Sequence, residues 1–422
     1  MKWYRKRVAD QILKDKLKAK GAVLIEGSKW CGKTTTATQI AKSILYMQDP
    51  ALKSHNLKLA ELDPSLLLEG DTPRLIDEWQ LAPQLWDAVR FAVDQRDEFN
   101  QFILTGSSVP AADMSTSHSG TGRISRMTMR PMTLYESGDS NGSVSLKELF
   151  DVQGKIAANN SLDVRRIAYL ICRGGWPKAL DQSEKIALRQ AYDYYDAVVE
   201  ADISNMDGVN RNPQRVKLLM RSLARYTASD TKVAKIREDM VSNDLDALNV
   251  DTIYSYINAL KRIFVVENLP AWSPNLRSKT AIRTSDKRHF VDPSIAVAAL
   301  GVGPDDLLND LNTMGLLFES LCVRDLRVFA EALDGTLYHY RDKTGLECDA
   351  VIHLRNGSYA LIEAKLGGSE IEDAARNLIT LKNKIDTDRM EAPSFLMILT
   401  ATGYGYQRED GVYVVPIGCL KT

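Results

Sequence analysis

No stretch of this 422-residue chain approaches the roughly 20 consecutive apolar residues that a helix needs to cross a bilayer, which argues against helical membrane spans. The N-terminal run Met1-Lys2-Trp3-Tyr4-Arg5-Lys6-Arg7 is basic. It leads into Asp10, Lys14 and Lys16 rather than the apolar stretch of a secretory signal. The five cysteines (Cys31, Cys172, Cys322, Cys348 and Cys419) include no CxxC pair. That argues against a disulfide framework and a zinc site, and makes the reducing cytoplasm the expected compartment. Charge of one sign is also lacking. The formal net charge is -1, so no global field draws the chain to nucleic acid or to a membrane surface, although a local basic surface is compatible with it. There is no internal repeat and no coiled-coil heptad.

What is present is ordinary globular composition, 44% hydrophobic and 26% charged, over a length that suits two or three domains. Residues 3–20 pattern as an amphipathic lead-in helix. Ala22-Val23-Leu24-Ile25 is a short apolar run ending at Gly27, as expected of a buried parallel strand. A helix is expected from Lys33 to about Leu45, and a second strand over Leu57–Leu62, where apolar residues alternate. Leu75-Ile76 read as a third strand, Gln84 to Val93 as a helix and Phe102–Thr105 as a fourth strand. Strands alternating with helices imply a parallel sheet with helices on both faces. Polar stretches follow at Val109–Gly122, a candidate mobile loop, and at Ser137–Ser145, an inter-element connection that puts the first boundary near 155.

Residues 160–275 read as mostly helical: Arg215–Tyr226, Thr231–Met240 and Asp251–Arg262, with Asp251 as N-cap, precede a strand-like Ile263–Leu269. Three helices and a strand suggest a winged-helix unit. The remainder returns to α/β, with a helix Leu316–Leu333, strands at Leu337–Tyr340, Leu346–Leu354 and Tyr359–Lys365, a helix Ile371–Lys384 and a strand Ser394–Leu399. The expected domains are 1–155, 156–275 and 276–422.

Gly27-Ser28-Lys29-Trp30-Cys31-Gly32-Lys33-Thr34 matches GxxxxGK[ST] between an apolar strand and a helix. The glycines let backbone N–H groups face one point, where phosphates bind. Lys33 is the expected β/γ-phosphate ligand and Thr34 the Mg2+ ligand; Thr35 completes the nucleotide-contacting set, and Trp30 and Cys31 shape the loop. Asp77-Glu78 supplies the partner carboxylates, Asp77 to hold Mg2+ through water and Glu78 to polarise the attacking water. Thr105 is expected between the two motifs, in reach of the γ-phosphate or that water. Arg123, ahead of Arg126 in rank, is the candidate for stabilising transition-state charge. ATP and Mg2+ are thus the expected cofactors.

The run Leu75-Ile76-Asp77-Glu78-Trp79-Gln80-Leu81-Ala82-Pro83, then Phe102-Ile103-Leu104-Thr105-Gly106-Ser107-Ser108 and Gly122-Arg123, resembles a large prokaryotic family. Its members join an AAA-type P-loop ATPase domain to a C-terminal domain of unknown function. Arg173-Gly174-Gly175-Trp176-Pro177 resembles its Gly-Gly-x-Pro signature. The resemblance runs along nearly the whole chain and implies ATP binding and hydrolysis. It departs at Trp79, where a small aliphatic residue is expected. Relatives of AAA type often place one subunit's arginine at a neighbour's nucleotide, so an oligomer is compatible with this pattern.

Glu347-Cys348-Asp349 and Glu363-Ala364-Lys365 resemble the Asp…Glu-x-Lys core of the restriction-endonuclease-like fold, with Glu319 as an extra carboxylate. The resemblance implies a second divalent metal, with Lys365 orienting the water that attacks a phosphodiester. A two-residue Asn356-Gly357 turn would put Asp349 and Glu363 on opposite faces. A three-residue loop, Arg355 to Gly357, would pair them and sort charged from apolar side chains, so burial favours it. Lys217, Arg221 and Arg225 share one expected helix and Lys261-Arg262 end another; beyond them Arg277, Lys279, Arg283, Lys287 and Arg288 form a strip nearly unopposed by acid in sequence. Such a strip suits phosphate contacts. Three readings follow: an ATPase switch acting on DNA or RNA, an ATP-gated switch acting on a protein partner, and an ATP-regulated metal-dependent nuclease. Each carries a nuclease-like C-terminal module, whether active or used for binding alone.

Overall fold

The computed structural model describes all residues except 1–3, 108–119, 153, 206–208, 210, 242–248 and 278. Ser108 and most of the polar stretch 109–122 therefore lie outside the described residues, as does the start of the expected lead-in helix, which is observed over Val8–Ala19.

Five strands form the first sheet: β1 (Ala22–Glu26), β2 (Ser43–Tyr46), β3 (Arg74–Asp77), β4 (Phe102–Thr105) and β5 (Ile124–Thr128). Their spatial order is β2-β3-β4-β1-β5 and every pairing is parallel. β1 is buried along its whole length because helices cover both faces. Leu24, Ile76 and Leu104 join Leu85, Trp86 and Val89 of the helix Gln84–Arg96 in one core. Val23, Ile25, Leu75 and Ile103 join Leu13 and Leu17 of the helix Val8–Ala19 in another. Trp79 is accommodated in the first of these, its ring 5.1 Å from that of Trp86.

Two local expectations change. The helix after the glycine-rich loop ends at Thr38, and the next strand is β2 rather than Leu57–Leu62. Residues Lys53–Leu62 are helical, burying Asn56 and Ala60, four residues apart on one face. The period-two pattern there misleads because Leu62 is left exposed. β2 is an edge strand whose Ile44 and Tyr46 face solvent, so it carries little apolar signal.

Beyond this domain lie β6 (Val144–Ser145) and β7 (Ala157–Asn159), then helices that include Val164–Arg173, Glu184–Ala197, Pro213–Arg225, Val233–Val241 and Val250–Arg262. The last is capped by Asn249 rather than Asp251. A two-stranded antiparallel ladder follows, β8 (Val266–Leu269) with β9 (Lys287–Phe290). The C-terminal part runs through helices Pro293–Leu300 and Leu311–Ala332. Then come β10 (Gly335–Arg341), β11 (Glu347–Leu354), β12 (Tyr359–Lys365), the helix Ile371–Lys384, β13 (Phe395–Thr400), β14 (Tyr404–Gln407), β15 (Tyr413–Pro416) and β16 (Leu420–Lys421). Seven strands form the order β10-β11-β12-β13-β15-β14-β7, and β16 pairs with β6. The expected boundary at 155 thus falls between two strands that both join C-terminal strands. The one at 275 falls inside the β8–β9 ladder. One core holds side chains from Leu134 to Leu420 and includes the middle helices.

The Gly-Gly-x-Pro segment is the seam between these parts. Gly175 N–H donates to Asp292 Oδ2 at 2.9 Å, and Met132 N–H donates to Gly175 O at 2.7 Å. A Cβ on Gly175 would lie 2.1 Å from Met132 O, so only glycine lets the two backbones approach. Trp176 Nε1–H donates to Ser294 Oγ at 3.0 Å. Asp292 also accepts from Ser294 N–H and from Arg324 Nη1 at 2.9 Å, and Arg324 in turn pairs with Asp325, which accepts from Leu134 N–H. Both partners of the Arg324–Asp292 pair are fully buried. Removing one member of such a pair strands the other charge, at a cost of about 3–5 kcal/mol. Asp292→Ala is therefore expected to lower the unfolding free energy by about that amount in urea denaturation, and a loss below about 1 kcal/mol would refute the role given to this junction.

Candidate nucleotide site and C-terminal carboxylate cluster

The loop Gly27–Thr34 leaves the end of β1 and enters the helix Lys33–Thr38. Gly27 has φ +144°, and a Cβ there would sit 2.0 Å from Met129 O. Gly32 has φ +104°, and Trp30, with φ +65°, completes the curl and is exposed. Lys33 is buried, its ammonium donating to Gly27 O at 2.9 Å and Ser28 O at 2.8 Å. Cys31 is buried with its Sγ on Met129 O, which agrees with a packing role.

The parallel order places β4 between β1 and β3, and with it Thr105 between the two motifs. Asp77 Oδ1 accepts from Thr34 Oγ1 at 2.6 Å and from Thr105 Oγ1 at 2.5 Å. Thr105 thus touches the acidic residue of the pair. Oxygen groups of this kind, carboxylate and hydroxyl, suit Mg2+. Glu78 stands at the strand end with φ +57°, an uncommon conformation for a non-glycine residue. Its carboxylate accepts from Gln80 Nε2 and from Ser107 Oγ at 3.3 Å. Gln80 lies within the motif that contains Asp77-Glu78, but its hold on Glu78 depends on the turn Trp79–Leu81. Thr35 is exposed and, with Tyr4, Arg7, Gln39, Met132 and Pro177, lines a cavity of about 570 Å3 beside the loop.

Two further contacts hold the loop, to partners that no sequence motif marks. Arg7 donates to Cys31 O and Arg130 O, both at 2.8 Å, and pairs with Glu136 at 3.0 Å. Lys29 pairs with Asp202 at 2.6 Å, in the π-helical turn Val198–Asp202. Arg123 does not join the site of its own chain. It precedes β5, and Ala22 at the start of β1 donates to its carbonyl. The loop is at the other end of the five-residue β1, roughly 16 Å away at about 3.3 Å per residue. Arg123 pairs instead with Asp94 at 2.7 Å.

In the C-terminal sheet, His353 pairs with Tyr359 and Ala350 with Ile362, the register of the three-residue loop, and Gly357 has φ +93°. Glu319, Asp349, Glu363 and Lys365 come together. Lys365 Nζ lies 2.8 Å from Glu363 and 3.5 Å from Asp349. A fifth member, Lys287 of β9, lies 2.9 Å from Glu319 and 3.5 Å from Asp349. Burial works to raise the Asp349 carboxyl, yet Lys287 and Lys365 hold it at about 2. Burial pushes Glu363 well above the usual carboxylate range, and the Asp349 charge adds to this while Lys365 opposes it. Burial raises Glu319 to about 7, opposed by Lys287 and reinforced by Asp349. Among the described residues no group of three or more His, Cys, Asp or Glu is arranged to hold a metal. The expected second divalent metal does not fit this arrangement, because an ammonium already lies against two of the three carboxylates.

The basic strip is also altered in space. Lys287 is buried in the cluster, Arg288 donates to Thr231 O, Arg283 faces Asp230 at 3.9 Å and Arg225 pairs with Asp239. The acids that oppose it come from distant positions, so the sequence could not show them.

Residues 19–137 match the AAA domain family; residues 164–306 and 314–420 each match a domain of unknown function (DUF8612 and DUF4143). The first part of the chain is thus an AAA-type P-loop domain. Uncharacterized proteins of Mycobacterium tuberculosis and Mycobacterium bovis are each 25% identical over 342 residues, 80% of this chain and 68% of theirs. Among solved structures, a Walker-type ATPase of Pyrococcus abyssi aligns at 14% identity with TM-score 0.44, over 70% of this chain and 96% of its own. The ORC1 protein of Aeropyrum pernix, solved in complex with DNA, aligns at 13% identity with TM-score 0.25, over 72% and 92%. No helix among the described residues is long and apolar enough to cross a membrane.

The raised Glu319 pKa makes a prediction about stability. A carboxyl that binds its proton more tightly when folded adds stability that is fully present below its unfolded pKa. For Glu319 that contribution is lost as pH rises from about 4.5 through about 7. Glu319→Gln is expected to flatten this part of the urea midpoint plotted against pH, and an unchanged slope would refute the assignment.

Proposed function

We propose that this chain binds and hydrolyses ATP and transmits its nucleotide state to the helical and C-terminal parts. The observation that carries the reading is the convergence of Thr34 and Thr105 hydroxyls on Asp77, with Glu78 next in the chain and Lys33 at the loop's own carbonyls. In this reading Lys33 binds the β/γ-phosphates and Glu78 orients the attacking water, with Gln80 and Ser107 setting its carboxylate. Mg2+, when bound with ATP, is held by Thr34 and by Asp77 through water and neutralises phosphate charge. Arg123 acts only on the nucleotide of a neighbouring copy, in an oligomer. Transmission runs through contacts that join the loop to distant elements: Lys29 to Asp202, and Arg7 to Arg130, whose guanidinium pairs with Glu267 and Glu331. A cytoplasmic setting suits the five buried, free cysteines.

We read the C-terminal part as a restriction-endonuclease-like scaffold. The order helix, β10, β11, β12, helix, β13 and the carboxylates gathered on one face support that reading. Its target can be DNA or RNA, or a protein. The internal engagement of Lys287, Arg283 and Arg288 favours the protein partner over nucleic acid.

Lys33→Ala is expected to abolish nucleotide binding. Glu78→Gln is expected to keep binding while turnover falls by roughly 10²–10⁴-fold, the usual share of a general base. Unchanged turnover in Glu78→Gln would remove that role. The Glu78→Gln protein loaded with ATP should give no salt-sensitive shift of DNA or RNA in a gel. A shift that weakens steeply with salt would reinstate nucleic acid as the target.

A further inference from the structure

The C-terminal cluster carries three carboxylates, Glu319, Asp349 and Glu363, drawn from a helix and two strands. Each is taken out of water, Glu363 and Asp349 almost completely. A buried carboxylate is paired with a cation or keeps its proton, and carboxylate oxygens are the ligand type that divalent ions take. Here the cations come from the chain itself. Lys365 serves Glu363 and Asp349 from the same strand as Glu363. Lys287 comes from elsewhere, from the β8–β9 ladder that follows the helix Val250–Arg262, and its ammonium lies between Glu319 and Asp349. Only 5% of Lys287 is exposed, so its charge has been drawn out of solvent and is not a surface lysine that happens to lie nearby.

We propose that the ammonium of Lys287 takes the place of a divalent cation between Glu319 and Asp349, with Lys365 serving Glu363, making this domain a metal-free, non-cleaving module into which the β8–β9 ladder is plugged. The cluster is not closed off by its walls. A cavity of about 590 Å3, lined by Glu319, Lys365, Gly367 and Glu370 among others, opens beside it. Of the three carboxylates Glu319 lines this cavity, so a small ion arriving there meets the resident ammonium and the repulsion it exerts on a second cation. The plug also explains why a lysine of the basic strip points inward: it fastens the ladder to the sheet at the carboxylates of Glu319 and Asp349. This inference is independent of the nucleotide site.

The test uses the full chain with Asp77→Asn, which silences the metal position at the nucleotide loop, and Mn2+ alone as probe. Free Mn2+ is read by electron paramagnetic resonance, and folding is checked by circular dichroism. With Lys287 in place no Mn2+ is expected to bind at millimolar concentration. Lys287→Met, which keeps the alkyl stem and removes the charge, is expected to gain one Mn2+ per chain and to lose it again when Glu319→Gln is added. Lys287→Arg, which keeps a cation, is expected to gain none. A folded Lys287→Met protein that gains no Mn2+ overturns the proposal. So does Mn2+ bound by the Lys287 protein and lost in Glu363→Gln, which remains decisive if Lys287→Met does not fold.

Discussion

Asp292 is a fully buried carboxylate, and the constraint that a buried charge be paired and hydrogen-bonded organises much of the molecule around it. It accepts from Gly175 N–H, from Ser294 and from Arg324. These partners belong to the seam after the nucleotide domain, to the helix Pro293–Leu300 and to the helix Leu311–Ala332. Satisfying one anion therefore docks three segments that are remote in sequence. Gly174 and Gly175 are glycines for the same reason. A side chain at Gly174 would meet Ser294 and Asp292, and one at Gly175 would meet the Met132 backbone. The glycines of the Gly-Gly-x-Pro signature thus form a joint, while its Pro177 lines the cavity beside the nucleotide loop.

From this joint the nucleotide loop is connected outward by charge. Arg7 reaches from the N-terminal segment to the carbonyls of Cys31 and Arg130. Arg130 is largely buried, and its pairing with Glu267 and Glu331 carries the connection to β8 and to the long helix. Burial alone would raise the Glu267 carboxyl, but Arg130 and Arg327 hold it down at about 2. Partly dehydrated ion pairs of this kind are sensitive to small displacements, since their attraction has to offset the loss of water. These pairs are the contacts through which the proposed coupling would pass from the loop to β8 and the long helix.

The same physics separates the two clusters of acid. At the nucleotide site Asp77 receives hydroxyl donors, which are neutral and leave its charge available to a metal. At the C-terminal site the carboxylates receive ammonium groups, which consume that charge. Similar residue types on strands of parallel or mixed sheets thus end with opposite capacities for a cation. The difference lies in which neighbours the fold supplies.

The nucleotide site was legible because its parts are local: Gly27 to Thr34 is one turn, Asp77-Glu78 one strand end, and Thr105 the end of a buried strand. The β11–β12 register was also legible: Ala350–Ile362 and His353–Tyr359 are the pairs of the three-residue loop, and Asp349 and Glu363 end on a shared Lys365. What failed was read from weaker cues. β2 is a short edge strand with one face in solvent, and the alternation at Leu57–Leu62 belongs to a helix that packs Leu57, Leu59 and Ala60 on the core and leaves Leu62 exposed. Arg123 is a separate case: strand direction puts it at the far end of the sheet from its own chain's loop, which leaves the neighbouring-copy role proposed above. Sequence by itself therefore determined the phosphate loop, its carboxylates and the alternating layers, since each follows from chemistry within a few residues. Only the tertiary structure decided that Lys287 leaves the basic strip to meet Glu319, that Asp292 joins three segments, and that Lys29 faces Asp202. Those pairings cross long stretches of chain, and no local pattern records which distant charge will share a buried site.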